Sequence, residues 1–468
     1  MMYKEYKTVP FDWLQTIPSG WATQRLKKLL VTHYGGCWGE DEVGDEKDLL
    51  CIRIADFNFQ NQTVKPSANT IRHYSDQQIL GGHLQDGDLI LEKSGGGEKT
   101  PVGRVVRFKA TDNSYTMFAN FSECLRPNNK LISSDYLAYY LKFFYSVANM
   151  GRYYKQTTGI QNVDMPAYLN IGVSIPPRNE QDQIVRYLDW QVSKINKLIS
   201  AKKKQIALSK ERSQVLVSDL VIHGLSKDAV AKESGVEWIG KIPSNWEVLR
   251  CKYLFTERDE RSKDSSETHL SMSQKFGLIP DSELDERRML SASYAGGKLC
   301  YENDLVLNRL KAHLGVFALA PQLGVISPDY TVLIPNTKRI VPQYAEAVLK
   351  SDLCRRELRI RVRGIIEGFW RLYTDDFYTI KLPVPSIDEQ KEIMAQVSVI
   401  QRQAKAFEAA IQKEIELLSE MRNRLISDVV TGQIDVRGIE IPEYEYVDDV
   451  SDDSEDSEST EELEEQEN

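Results

Sequence analysis

Two stretches of the chain carry their apolar residues in steps of three and four, alternating strictly from Leu188 on in the first. The first passes through Ile184, Leu188, Val192, Ile195, Ile199, Lys202, Ile206, Ser209, Ser213, Leu216 and Leu220. The second passes through Ile393, Val397, Ile400, Ala404, Phe407, Ile411, Glu414, Leu418, Met421 and Leu425. Such spacing is a heptad seam, and neither stretch holds an internal Gly or Pro. Each follows a Pro-rich lead-in, Ile175-Pro-Pro or Leu382-Pro-Val-Pro, which predicts helix over 179–222 and 386–430. At 1.5 Å per residue, about 40 residues reach roughly 60 Å. Both seams are buried most simply against each other, and the pair is antiparallel if a pseudo-twofold axis relates the two halves. The bland alternative is that each helix packs only on its own domain. Lys202, Ser209, Ser213 and Glu414 interrupt the seam, as residues that set register or meet a partner do.

Elsewhere the pattern is short and β-like, with Gly-rich turns. Leu50-Cys-Ile-Arg-Ile-Ala, Gly87-Asp-Leu-Ile-Leu-Glu-Lys, Val102-Gly-Arg-Val-Val-Arg-Phe, Asp304-Leu-Val-Leu-Asn-Arg-Leu and Tyr330-Thr-Val-Leu-Ile-Pro read as strands. One helix per half is expected beside them, at Ser133 to Ala148 and at Pro342 to Glu357. The elements recur because the chain is doubled. Trp13-Leu-Gln-Thr-Ile-Pro-Ser-Gly-Trp21 returns as Trp238-Ile-Gly-Lys-Ile-Pro-Ser-Asn-Trp246, and Pro176, Glu180, Gln181 and Ile184 return as Pro385, Glu389, Gln390 and Ile393. The offset falls from 225 at the first frame to 209 at the second, so the second interior is 16 residues shorter. Constant frames around divergent interiors suggest one scaffold presenting two recognition surfaces.

At 468 residues and 41% hydrophobic content the chain has room for more than one core. No apolar run reaches the length of a membrane span, and Met1-Met-Tyr-Lys-Glu-Tyr-Lys lacks a secretory apolar stretch, so a cytoplasmic address is expected. The six cysteines are scattered without Cys-x-x-Cys spacing, which predicts reduced thiols and no zinc site. The net charge of -10 misleads: Gly438 to Asn468 holds 15 Asp and Glu and no Lys or Arg, leaving the preceding residues 59 basic against 54 acidic groups, or +5. The acidic end reads as a solvated tail. Its sharper role would be competition with a polyanion for the basic body.

Cationic loops cluster beside the strands, near Arg53, Lys93, Arg104, Arg107, Arg152 and Lys155 and leading into Gln161 and Asn162. The second half offers Lys275, Arg309, Lys311, His313 and Arg361-Val-Arg363-Gly364, leading into Trp370 and Arg371. Arg and Lys answer phosphate charge, while Arg, Asn and Gln also pair bidentately with guanine or adenine edges. Each loop alone could equally be solvated surface; their recurrence favours nucleic acid. Gln161 and Asn162 have no direct match in the second half, where Trp370 and Arg371 stand instead, which makes these four the candidates for half-specific contacts. Catalytic signals are missing. Gly95-Gly-Gly-Glu-Lys-Thr lacks a P-loop ending, and Asp88 with Glu92 hints at a nuclease pair that the second half, with Asp304 and Asn308, does not repeat. No metal set is expected.

Taken together, the doubled Trp-x-x-x-Ile-Pro-x-x-Trp frame, the two Pro-x-x-x-Glu-Gln lead-ins and Val430-Thr-Gly-Gln-Ile-Asp-Val436 resemble the specificity subunit of type I restriction-modification systems, over residues 10 to 437. The resemblance implies an α+β fold with two β-rich target-recognition domains in pseudo-twofold arrangement, separated by two long antiparallel coiled-coil helices. It divides the chain into target-recognition domains at 1–178 and 248–385, spacer helices at 179–222 and 386–430, a linker at 223–247 and a C-terminal segment at 431–468. It implies a non-catalytic subunit that binds double-stranded DNA at a bipartite asymmetric target. Two modification subunits and two restriction subunits would be its partners, using S-adenosylmethionine, ATP and Mg that this chain does not itself bind. A self-contained restriction-modification enzyme and a coiled-coil interaction protein without DNA binding stay open beside it.

Overall fold

A computed structural model describes residues 2–97, 100–111, 114–157, 159–226, 228–264, 266–273, 276–283, 296–364 and 370–447. The two seams form continuous helices, Arg178–His223 and Ile387–Val430. The chain divides into two compact units, Met1–Lys204 with Gln412–Asn468, and Gln205–Ile411. Both divisions fall inside a long helix. Each unit therefore owns the start of one helix and the end of the other, and the picture of a helix packed only on its own domain does not hold.

In the first unit a sheet runs in the order Leu30–Gly35, Ser122–Pro127, Leu89–Glu92, Val105–Arg107, Thr63–Val64, Phe57–Asn58. The second unit repeats its first four positions as Phe255–Arg258, Tyr330–Pro335, Leu305–Asn308 and Phe317–Leu319. Among the described residues, the last two strands of the first sheet have no counterpart in the second. A helix covers each sheet: Ser134–Val147, capped by Ser133, and Pro342–Lys350. The single helix expected to Glu357 in the second half is broken, because Ser351 ends one helix and its hydroxyl caps another, Asp352–Arg359. A side chain that bonds the backbone locally competes with helix continuation.

The repeated motifs have a common structural job. Gln181 accepts from Ser133 N at 2.7 Å and donates to Pro176 O at 2.9 Å; Gln390 accepts from Val341 N at 2.7 Å and donates to Pro385 O at 2.9 Å. Each glutamine thus satisfies an orphan amide at the start of the covering helix and ties it to the long helix. The Ile-Pro-x-x-Trp frame receives the other helix's end. Gly432 (φ 74°) leaves a Cβ only 2.4 Å from Pro18 and 3.1 Å from Trp21, and Gly224 (φ 83°) leaves one 2.9 Å from Trp246. Tyr136 Oη donates to Val430 O at 3.2 Å and Tyr344 Oη donates to Val221 O at 2.8 Å. The first core accordingly contains Ile184 and Leu188 of one helix with Val429 and Val430 of the other, and the second contains Ile393 and Val397 with Val221 and Ile222. Full burial of each such side chain contributes about 1.5–3 kcal/mol.

Within the first unit the helices run antiparallel, since Asn196 meets Arg422 at 2.7 Å and Lys202 meets Glu414 at 2.5 Å. The expected seam holds early in each helix and then slips by one residue. Met421 is 58% exposed while Arg422 is 2%, and Leu220 is half-buried while Val221 is fully buried. A helix of 3.6 residues per turn drifts about 20° per heptad from a 3.5 repeat, so four heptads amount to most of one residue step.

Candidate nucleic-acid interface

In the first unit the strand Leu89–Glu92 ends at Lys93, whose carbonyl accepts from Val163 N at 2.8 Å. That contact seats a hairpin, Tyr154–Thr157 against Ile160–Val163, turning at Gly159 and extended by Ser94–Gly95 into three strands. Lys155 pairs across the hairpin with Asn162. Lys155 Nζ lies 2.9 Å from Asp164, the cap of the next helix, and its side chain is 77% exposed. The Lys155 ammonium holds the Asp164 carboxyl below its ordinary value.

The second unit repeats the anchor and the cross-pairing, the latter as a single antiparallel bridge between Arg363 and Arg371. Leu305–Asn308 leads to Arg309, whose carbonyl accepts from Leu372 N at 3.0 Å, and Arg363 and Arg371 exchange backbone bonds at 2.9 and 2.8 Å. Arg363 is ion-paired to Asp376, in the first turn of the following helix Thr374–Thr379, as Lys155 is to Asp164. Asn162 and Arg371 thus occupy one structural position, and so do Lys155 and Arg363. Both Asn162 and Arg371 are exposed.

Not every sequence candidate is an exposed residue of these paired segments. Gln161 is 1% exposed, accepts from Val102 N at 3.2 Å and donates to Gly97 O at 3.4 Å, so it braces the Gly-rich loop. Arg104 makes two bonds, 2.7 and 2.8 Å, to the buried Glu92, with its guanidinium 3.6 Å above Phe59. Lys93 pairs with Glu123 at 3.1 Å and Arg152 with Asp12 at 2.6 Å. Arg107 pairs with Asp135 at 2.6 Å, at the opposite end of strand Leu89–Glu92 from Lys93. Arg53 pairs with Asp56 around the turn Ile54–Asp56. Arg309 Nε donates to Thr331 Oγ1 at 3.0 Å, Lys311 is exposed, and His313 lies in the turn Ala312–Leu314. Trp370 is 37% exposed. Lys275 lies outside the described residues. Exposed ion pairs are worth about 0–1 kcal/mol and exchange readily for phosphate, whereas the buried Arg104–Glu92 pair does not.

The acidic residues that hinted at a nuclease are engaged elsewhere. Asp88 binds Arg126 at 2.8 Å, and that hydrogen bond raises the guanidinium's pKa; Glu92 binds Arg104. Asp45, Asp48 and His73 form a cluster of possible metal ligands, but Asp48 already accepts the backbone amides of Val43, Gly44 and Asp45 and lies 3.0 Å from His73 Nδ1. Sequence reasoning missed Ser94, whose hydroxyl donates to Asn162 Oδ1 at 2.6 Å, because a contact across 68 residues leaves no local pattern.

Comparison with known proteins agrees with the doubled frames. Residues 83–208 match the family model "Type I restriction modification DNA specificity domain". The type I restriction enzyme MjaVIII specificity subunit of Methanocaldococcus jannaschii is 23% identical over 332 residues, 67% of this chain and 73% of that protein. The putative MjaX specificity subunit of the same organism is 24% identical over 442 residues, 90% of this chain and 95% of its own. A chain from a structure on complex assembly and conformational transition of the type I R-M system superimposes with TM-score 0.54 at 15% identity, covering 89% of this chain and 99% of that one. No helix among the described residues is long and apolar enough to cross a membrane.

Proposed function

Taking the chain as a type I specificity subunit, we propose that it is the DNA sequence-recognition subunit of a restriction-modification complex, reading a bipartite asymmetric duplex with one unit for each half. The observation that carries this is the duplication of one presentation device, a basic strand end seating a hairpin, with different side chains in each copy. Phosphate contacts from Lys93, Lys155, Arg152, Arg309 and Lys311 would position the duplex, and base contacts from the hairpins would give sequence preference. The length of helix between the domains would set the unread gap.

The partners would be two methyltransferase and two motor-nuclease subunits, which use S-adenosylmethionine, ATP and Mg. Apolar residues left exposed on the helices support docking there: Leu208, Val215 and Phe407 in the second unit, at 53, 58 and 45%, and Leu417 and Met421 in the first, at 55 and 58%. Mapping methylated adenines in the host genome tests the proposal. A split motif whose methylation vanishes when this chain is deleted is expected. A continuous motif, or magnesium-dependent nuclease activity from the chain alone, would count against it.

A further inference from the structure

The two hairpins suggest which bases they read. Aligned on the anchors Val163 and Leu372, the exposed position next to each anchor holds Asn162 in one unit and Arg371 in the other. Across the hairpin, Lys155 and Arg363 are each tied to a carboxylate at the start of the following helix. The segment carrying Lys155 or Arg363 is therefore held, while the segment paired with it presents the variable residue. Ser94 bonds the Asn162 carbonyl oxygen and orients its amide, and Arg371 pairs with no carboxylate among the described residues. An oriented carboxamide matches the acceptor and donor of adenine's major-groove edge, and a guanidinium fork matches the two acceptors of guanine. We infer that the first unit reads an adenine through Asn162 and that the second reads a guanine through Arg371. This rests on the DNA-recognition reading above and adds residue and base to it.

Selection of bound duplexes from a randomised library by the purified chain tests the inference. The unaltered chain should enrich two base clusters with a gap. Arg371→Ala should lose tenfold to a hundredfold preference at one guanine in one cluster and leave the other cluster intact. Asn162→Ala should do the same at one adenine in the opposite cluster. Arg371→Lys keeps the charge without the fork, so it should also relax the guanine. Full preference in the lysine variant would make Arg371 a phosphate contact and overturn the inference. So would unchanged preference in the alanine variants, or equal weakening of both clusters. If the unaltered chain enriches no split sequence, the DNA-recognition reading itself falls, a result distinct from any seen with the variants alone.

Discussion

At the scale of single residues, the helix-end glycines are the most constrained positions. Gly432→Ala would place a methyl 2.4 Å from Pro18 on a backbone with φ 74°. Strain and overpacking together should cost about 2–4 kcal/mol in chemical denaturation. Gly438→Ala, with nothing within 4 Å, serves as the neutral control. Arg422 is buried between Asn196 and Gln60, to which it donates at 2.7 and 2.6 Å. Arg422→Ala should destabilise by about 3 kcal/mol, because the buried Asn196 carboxamide loses a donor and a cavity opens; a loss below 1 kcal/mol would show that the network contributes little. Burial raises the Asp189 carboxyl, although Tyr139 donates to it at 2.7 Å. A raised folded-state pKa means stability is fully present below the unfolded value, near 4, and declines as pH rises through the folded value. Asp189→Asn should therefore gain on the unaltered chain between pH 4 and 7 in thermal melts, and a parallel pair of profiles would refute this.

The elements meet through reciprocal docking of helix ends. Tyr136 and Tyr344 make equivalent bonds to the last carbonyls of the long helices. Replacing either by Phe should cost about 1–2 kcal/mol, by similar amounts, because each leaves a buried carbonyl with one donor fewer. Unequal losses would mean that the sockets differ despite their shared frame. Exposed seam positions behave differently. Leu208→Glu should leave the melting temperature nearly unchanged, since that side chain is 53% exposed, but should abolish co-purification of a methyltransferase subunit. Retained co-purification would move the proposed docking surface elsewhere.

For the whole molecule, charge is divided between a basic body and an acidic end. Residues Val436 to Val447 are bonded along the first helix: Gln183 donates to Val436 O at 3.0 Å, Val447 N donates to Ser193 Oγ at 2.7 Å, and Asn196 donates to Val447 O at 3.3 Å. The acidic run from Asp448 follows this bonded segment directly in the sequence. A chain ending at Val447 loses 12 Asp and Glu. Such a chain should bind duplex DNA more tightly at about 50 mM salt, with the difference fading as salt screens both interactions. Equal affinities at low salt would show that the acidic end does not compete.

The sequence by itself determined the duplication, the two long helices to within a residue or so of their ends, the strand Tyr330–Pro335 and the cationic character of both interiors. These are legible because periodicity and repeated motifs are local properties of the chain. Long-range contacts alone fix which helix end enters which socket, that Arg422 rather than Met421 faces inward, and that Gln161 is buried while Asn162 is exposed. Each depends on contacts between residues far apart in sequence, where helical drift, strand register and loop anchoring fix the direction of a side chain after the local pattern has fixed only its element.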